Sequence, residues 1–283
     1  MKIKLAITSV FVALLLFGAG TIDASPISLG NASGFAALSL NGNVQNSNGT
    51  ISGPVGVAAP GFSYTGNSSF TSGLYVNTDS TITLNGAAPS SVNQNASTNS
   101  YLSQAITDAN SAAAQASAST PTSTFTTNPG TVTQTAPGNY VYNIGSLANN
   151  DVLTVSAPAG STVIVNIGSI APGSAVALNI AGGLTPNDVI WNIQSATSLN
   201  QGGGKNVTGI LLAPTSTVTI AGGATVTGQV IAMAITTTGS GIIVGTGLRP
   251  IVLVPEPSSL SIVAIGAAAL LGHRFLRRRK SPG

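Results

Sequence analysis

Four segments decide the fold: Asn139-Tyr-Val-Tyr-Asn-Ile-Gly-Ser146, Thr162-Val-Ile-Val-Asn-Ile-Gly-Ser169, Ala175-Val-Ala-Leu-Asn-Ile-Ala-Gly182 and Asp188-Val-Ile-Trp-Asn-Ile-Gln-Ser195. Their common asparagine falls at 143, 166, 179 and 192, with spacings of 23, 13 and 13. A second repeat follows, in which Val207-Thr-Gly-Ile-Leu-Leu-Ala213 matches Val226-Thr-Gly-Gln-Val-Ile-Ala232 at an offset of 19. Short β-branched runs punctuated by Gly-Gly, Pro-Gly or Ala-Pro read as strands separated by turns. Near-identical units of this length stack into a solenoid, each coil burying its apolar face on the next. The reading is a β-helix whose closing coils span about 139–245, with Val, Ile, Leu and Trp191 inside. Recurring Asn and Thr then form ladders along the stack. A β-sandwich also has evenly spaced strands and is the alternative.

Working outward, residues 99–119 break the β pattern. Ala is abundant there, and Tyr101, Leu102, Ala105, Ile106 and Ala109 make an apolar stripe at helical spacing. One amphipathic helix is expected, capped by Asn99 or Ser100, ending before Pro121 and lying along the β core. The Ser/Thr/Pro-rich stretch 120–137 reads as a connector.

Charge is scarce. Charged residues are 5% of the 283, against roughly a quarter in an average soluble protein. The formal +3 comes from the two ends, and between Ser25 and Pro257 two cations (Lys205, Arg249) face five anions (Asp79, Asp108, Asp151, Asp188, Glu256). No basic face exists to neutralise phosphates, so nucleic acid is not an expected partner. There is no cysteine, and the single histidine, His273, lies in the tail. Gly, Ser, Thr, Asn and Ala replace charge, while 43% hydrophobic residues supply a core.

Both ends read as addresses. Residues 1–24 carry Lys2 and Lys4, an apolar run from Leu5 to Gly18, and Ile22-Asp23-Ala24 before the expected signal peptidase cut between Ala24 and Ser25. At the other end, Val254-Pro255-Glu256-Pro257-Ser258-Ser259 leads into the apolar run Leu260–Gly272 and then His273-Arg-Phe-Leu-Arg-Arg-Arg-Lys280. This is a short membrane helix at about 258–276 with a cationic stop, which orients everything before Pro255 outside. Residues 251–283 resemble the PEP-CTERM sorting signal of Gram-negative bacteria: Pro-Glu-Pro, a spanning stretch and an Arg-rich tail. That resemblance implies recognition by an exosortase, processing near Pro255, Glu256 and Pro257, a transient stay in the inner membrane, and a host that makes extracellular polysaccharide and biofilm.

The ectodomain, 25–250, carries a second resemblance. Val189-Ile-Trp-Asn192, Gly209-Ile-Leu-Leu-Ala-Pro214 and Gly228-Gln-Val-Ile-Ala232 resemble the closing signature of choice-of-anchor A domains. Gly34-Phe35, Ala37-Leu38 and Ile51-Ser-Gly-Pro-Val-Gly-Val57 fit their opening and that of the related ice-binding-like β-helix. Over about residues 27–245 the resemblance implies a right-handed β-helix of adhesive type, with a long helix after the first strands.

Chemistry is sparse. Glycoside hydrolysis needs two carboxylates facing one bond. Asp79, Asp108, Asp151 and Asp188 are isolated in sequence and read as turn residues accepting backbone hydrogen bonds. Without histidine outside the tail no Ser-His-Asp arrangement forms. Lys205 after Gly202-Gly-Gly204 lacks the Gly-Lys-Ser/Thr context of a phosphate loop. No Ca²⁺-loop spacing is visible. The expectation is therefore no catalytic residue, cofactor or metal, and a non-enzymatic surface protein of the polysaccharide matrix. An ice-binding reading rests on Thr215-Ser-Thr217-Val-Thr219, Thr225-Val-Thr227 and Thr236-Thr-Thr238 forming one flat row; a polysaccharide-acting enzyme is the remaining alternative.

Overall fold

The computed structural model describes residues 27–58, 61–65, 69–85, 89–171, 173–195 and 198–249. The N-terminal block holds β1 (Ala37–Ser39), β2 (Val44–Ser47), β3 (Thr50–Ser52), β4 (Val55–Val57), β5 (Gly61–Thr65), β6 (Ser69–Phe70), β7 (Gly73–Val76), β8 (Thr81–Asn85) and β9 (Ser91–Asn93). Helix α1 (Ala96–Ala118) follows. The C-terminal block holds β10 (Ser123–Phe125), β11 (Thr131–Thr133), β12 (Asn139–Leu147), β13 (Val152–Ala157), β14 (Thr162–Ile170), β15 (Ala177–Gly182), β16 (Val189–Ile193), β17 (Ser198–Gln201), β18 (Val207–Ile220), β19 (Thr225–Thr238) and β20 (Ile242–Gly245). Strands pair in parallel with their equivalents one coil away, which makes a β-helix rather than two face-packed antiparallel sheets.

Three faces run along the stack. The first orders β10, β12, β14, β16, β18, β19, β1, β4, β7 and β9. The second orders β17, β18, β19, β2, β5 and β8. The third orders β11, β13, β15, β18, β19, β20, β3 and β6. The blocks meet at a seam, where β1, β2 and β3 pair with β19, β19 and β20. Chain order and stacking order therefore differ: the first-made coils sit on the last-made ones, and α1 carries the chain between the two blocks.

The 19-residue repeat stacks in register, Val207 on Val226 through Ala213 on Ala232. Three of the four Asn repeats also stack, Asn143 beside Asn166 beside Asn192. The fourth does not: Asn179 lies opposite Thr154 on the third face. Two 13-residue offsets thus make one coil of 26, because a similar strand motif serves two faces of the same turn. Inside, Val165, Ile167, Leu178, Trp191, Leu211, Val230 and their neighbours form a continuous core. The Trp191 indole donates to the Thr208 carbonyl at 2.8 Å. Gly209 and Gly228 stack at one corner with φ of +129° and +138°, and a Cβ on Gly228 would collide with the Gly209 carbonyl. Only glycine turns the chain so tightly there.

Helix α1 covers the first face. That face is apolar on both sides, and β16 (Val-Ile-Trp-Asn-Ile) is buried throughout. Leu102, Ala105, Ala109, Ala112 and Ala113 pack on Leu38, Ile190, Ile210, Leu212 and Ile231. The small alanines let the helix approach closely. The helix starts three residues before the expected 99, at Ala96. Its cap is Asn95 rather than Asn99 or Ser100, since the Asn95 side chain accepts the Thr98 N–H at 2.9 Å. The first turn, Ala96-Ser97-Thr98, carries too little apolar periodicity to announce itself.

The expected connector 120–137 is likewise a coil of its own. β10 and β11 lie within it, and Val132 enters the core. Three-residue strands between prolines fall below the length at which alternation can be read. Among the described residues no helix is long and apolar enough to cross a membrane. The expected signal (1–24), sorting tag (251–283) and membrane helix (258–276) lie outside the described residues.

Candidate functional site

The second face is open, and its strands alternate strictly. Val218, Ile220, Ile235, Val44 and Phe62 point inward and are buried, as are Thr237 and Asn46, whose side chains share a hydrogen bond of 2.6 Å. The alternate residues point out. Register places Asn200, Thr219, Thr236, Gln45, Ser63 and Thr83 in one row across six coils. Parallel strands set neighbours in such a row about 4.8 Å apart, and residues two apart on a strand about 6.6 Å apart. Thr217 beside Ala234 starts a flanking row, and Thr238, Ser47 and Asn85 belong to a second one on the other side. None of these residues is charged. The surface is a grid of hydroxyls and amides of unequal reach, which donates and accepts hydrogen bonds without a pocket.

The threonines expected as a single row are divided. Thr217, Thr219, Thr236 and Thr238 belong to the open face. Thr225 and Thr227 belong to the third face, in register with Ile242 and Val244, and Thr237 points into the core. Thr215 sits where β18 shifts register between Ala213 and Thr217. The coil turns a corner between these threonine pairs, which the sequence alternation does not reveal. Half of the open row, Gln45, Ser63 and Thr83, comes from the N-terminal block. The period-two pattern of Val44-Gln45-Asn46 and Phe62-Ser63-Tyr64 was readable, but its placement beside Thr236 depends on the seam.

The carboxylates have structural partners. Asp151 accepts the Ala148 N–H at 2.8 Å, and Asp188 accepts the N–H and hydroxyl of Thr185, both at 2.7 Å. These are turn acceptors, as expected. Asp108 differs, because it lies on α1. It binds the Asn31 N–H at 2.7 Å and the Gln104 amide at 2.7 Å, pinning the N-terminal segment to the helix. Asp79 lies in the turn before β8. Lys205 follows the turn Gly202–Gly204, where Gly203 and Gly204 adopt positive φ. It precedes a strand, and its ammonium reaches the Asn150 carbonyl at 3.4 Å. Among the described residues no group of three or more His, Cys, Asp or Glu is placed to hold a metal. Ala24, Ser25, Pro255, Glu256 and Pro257 lie outside the described residues.

With this geometry, the comparisons with known proteins agree on one type. A family model described as an ice-binding-like adhesive domain matches residues 15–243. An ice-binding protein from an Arctic yeast superposes with a TM-score of 0.53 at 20% identity, covering 83% of this chain and 100% of that one. An ice-binding protein from an Antarctic biological consortium gives 0.51 at 24% identity, covering 79% and 93%. One from an Antarctic Flavobacteriaceae bacterium gives 0.51 at 22%, covering 81% and 48%. At these identities the likeness is one of fold. No curated protein sequence matches the chain.

Proposed function

Since the chain belongs to the family of ice-binding-like adhesive domains, we propose that it is a non-enzymatic, exported adhesive protein that binds extracellular polysaccharide through its open face. The observation that carries this reading is the row Asn200, Thr219, Thr236, Gln45, Ser63 and Thr83. Two amides, Asn200 and Gln45, are each followed by two hydroxyls, so donors and acceptors both recur along the row, matching a polymer whose own hydroxyls repeat. Each contact is weak, and affinity comes from repetition along the chain of sugars. Without charge on the row, binding depends little on salt.

Export is assigned to signal peptidase, cutting between Ala24 and Ser25. The tail is assigned to an exosortase acting near Pro255, Glu256 and Pro257, after a transient inner-membrane stage. The mature protein then resides at the cell surface or in the biofilm matrix.

Ice binding is the second reading, favoured by the adjacent Thr219 and Thr236 and by the family's ice-binding-like character. A lattice-matched face needs side chains of one shape, and the long Gln45 and the amide of Asn200 interrupt that regularity. The deciding experiment assays residues 27–249 on isolated matrix polysaccharide and in ice recrystallisation. Polysaccharide retention without ice inhibition supports the adhesive reading. Strong ice inhibition without retention transfers the function to ice, and turnover of the polysaccharide shows an enzyme.

A further inference from the structure

One exchange within the stacked coils has no explanation in packing. On the outer side of the first face, Ile164 stacks on Ile190, Ile190 on Ile210, and Ile210 on Gln229. All four are buried, and Gln229 is 2% exposed. The 19-residue repeat therefore places an amide where the preceding coils bury an isoleucine. Gln229 Nε2 donates to the Ser33 carbonyl at 2.8 Å, which fixes the orientation of the amide. Its Oε1 is buried and takes no hydrogen bond among the described residues. An acceptor left in that state destabilises the fold, and isoleucine would avoid it.

Gln229 lines a cavity of about 280 Å³, together with the apolar Ile27, Leu29 and Ile210 and the cation Arg249. The Ser33 carbonyl that holds the amide also accepts the Arg249 N–H at 3.1 Å, so one atom positions both residues. Arg249 is exposed and forms no ion pair among the described residues. Thr246 stands at the same corner, following Gly245 as Gln229 follows its register partner Gly228. It too has a buried hydroxyl oxygen without a partner. None of the lining residues belongs to α1 or to the open row.

From the unmet Gln229 Oε1 and the unpaired Arg249 in one cavity, we propose that this cavity binds a single carboxylate-bearing sugar unit, a uronate. The guanidinium takes the carboxylate through charge-assisted hydrogen bonds. A ring hydroxyl donates to Gln229 Oε1, and the apolar lining residues face the C–H bonds of the ring. The volume suits one small unit rather than a length of polymer. The site is separate from the open row and stands whether or not that row binds polysaccharide.

The test titrates the mature span 25–257, and residues 27–249 beside it, with glucuronate, glucose and acetate, followed by two-dimensional ¹⁵N–¹H NMR. Glucuronate is expected to shift the Gln229 side-chain amide and the Ser33 and Arg249 backbone amides. Glucose, which lacks the carboxylate, and acetate, which lacks the hydroxyls, need about tenfold higher concentration or more. Arg249→Gln removes the preference for glucuronate over glucose. Gln229→Ile, which installs the residue of the preceding coil, weakens glucuronate binding by about tenfold. Methyl glucuronoside, blocked as a polymer-linked unit is, separates the two sources: its binding assigns the site to a unit of a polymer, and binding of glucuronate alone assigns it to the free sugar acid. No shift with either acid, equal binding of glucose and glucuronate by the parent, or glucuronate binding untouched by both variants would overturn the proposal. Binding by residues 27–249 but not by 25–257 would also overturn it, because the chain's own flanking residues would then fill the cavity. Arg249 is exposed, so Arg249→Gln decides the matter even if Gln229→Ile fails to fold.

Discussion

Asn192 donates its side-chain amide to the Asn166 side-chain carbonyl at 2.8 Å, 26 residues earlier in the chain. Asn166 in turn donates to Asn143 at 3.0 Å and to the Ala116 carbonyl at 2.7 Å, near the end of α1. The ladder thus stacks three coils and fastens the C-terminal part of the helix to them. Asn166→Ala leaves the Ala116 carbonyl and the Asn192 amide without these partners in a buried site, at a cost of about 2–3 kcal/mol. Urea denaturation measures the loss. Asn179→Ala, on the third face and outside the ladder, is expected to cost under about 0.5 kcal/mol.

The corner glycines provide a second test. Gly228→Ala must hold a Cβ at φ +138° against the Gly209 carbonyl, which costs about 2 kcal/mol or more. Gly223→Ala, at φ +76° with no atom within 4 Å of the added Cβ, costs about 1 kcal/mol. Equal midpoints for the two variants in thermal unfolding would remove the role given to the corner.

Substitution on the open face should separate it from its neighbours. Thr236→Tyr places a bulky ring in the middle of the row and is expected to reduce polysaccharide retention by about tenfold, since it interrupts contacts on both sides. Thr227→Tyr, on the third face, leaves retention unchanged. Both variants keep the circular dichroism of the parent. Loss of retention in Thr227→Tyr alone would move the binding surface to the third face.

Alkaline stability follows from three tyrosines. Burial raises the phenol pKa of Tyr75, Tyr101 and Tyr142 above the ordinary value of 10.0. The folded state therefore keeps protons that the unfolded chain releases. Their contribution is fully present below about pH 10 and is lost as pH rises through the raised values. Residues 27–249 contain no His or Cys, the groups that ordinarily titrate near neutrality. Denaturation midpoints measured against pH should be level across neutrality and fall above about pH 10. Tyr101→Phe is expected to reduce that alkaline slope, at the expense of the hydroxyl's bond to the Asn31 carbonyl at 3.2 Å.

Processing is tested in the native host. The mature protein is expected to begin near Ser25 and end near Pro255–Pro257. Intact mass of the secreted form measures both ends, and retention of Arg277–Lys280 would exclude removal of the tail.

Local repetition made much of this fold legible. Val207–Ala213 and Val226–Ala232 are neighbours in sequence and in space, so their near-identity reported stacking directly. The Asn motif was half readable. Asn143, Asn166 and Asn192 align, but Asn179 showed that one strand pattern can serve two faces, since burial of alternate residues is the same on either. The terminal coil β10–β11 was hidden because its strands are short and rich in polar residues. The open row was hidden for a different reason. Asn200, Thr219 and Thr236 are close in sequence, whereas Gln45 reaches Thr236 only across the seam, which no periodicity encodes. Ala24, Ser25 and Pro255 to Pro257 rest on sequence alone.

The seam has a consequence for synthesis. Ala37 finds its partner Val230 only once β19 has been made. Until then the first coils and the later coils are separate blocks, and the row from Asn200 to Thr83 is divided between them. A chain stopped before β19 retains the outward residues of both halves but never aligns them. The continuous row therefore depends on β19, which joins the two halves, and a product that lacks this strand displays only two separate, shorter rows.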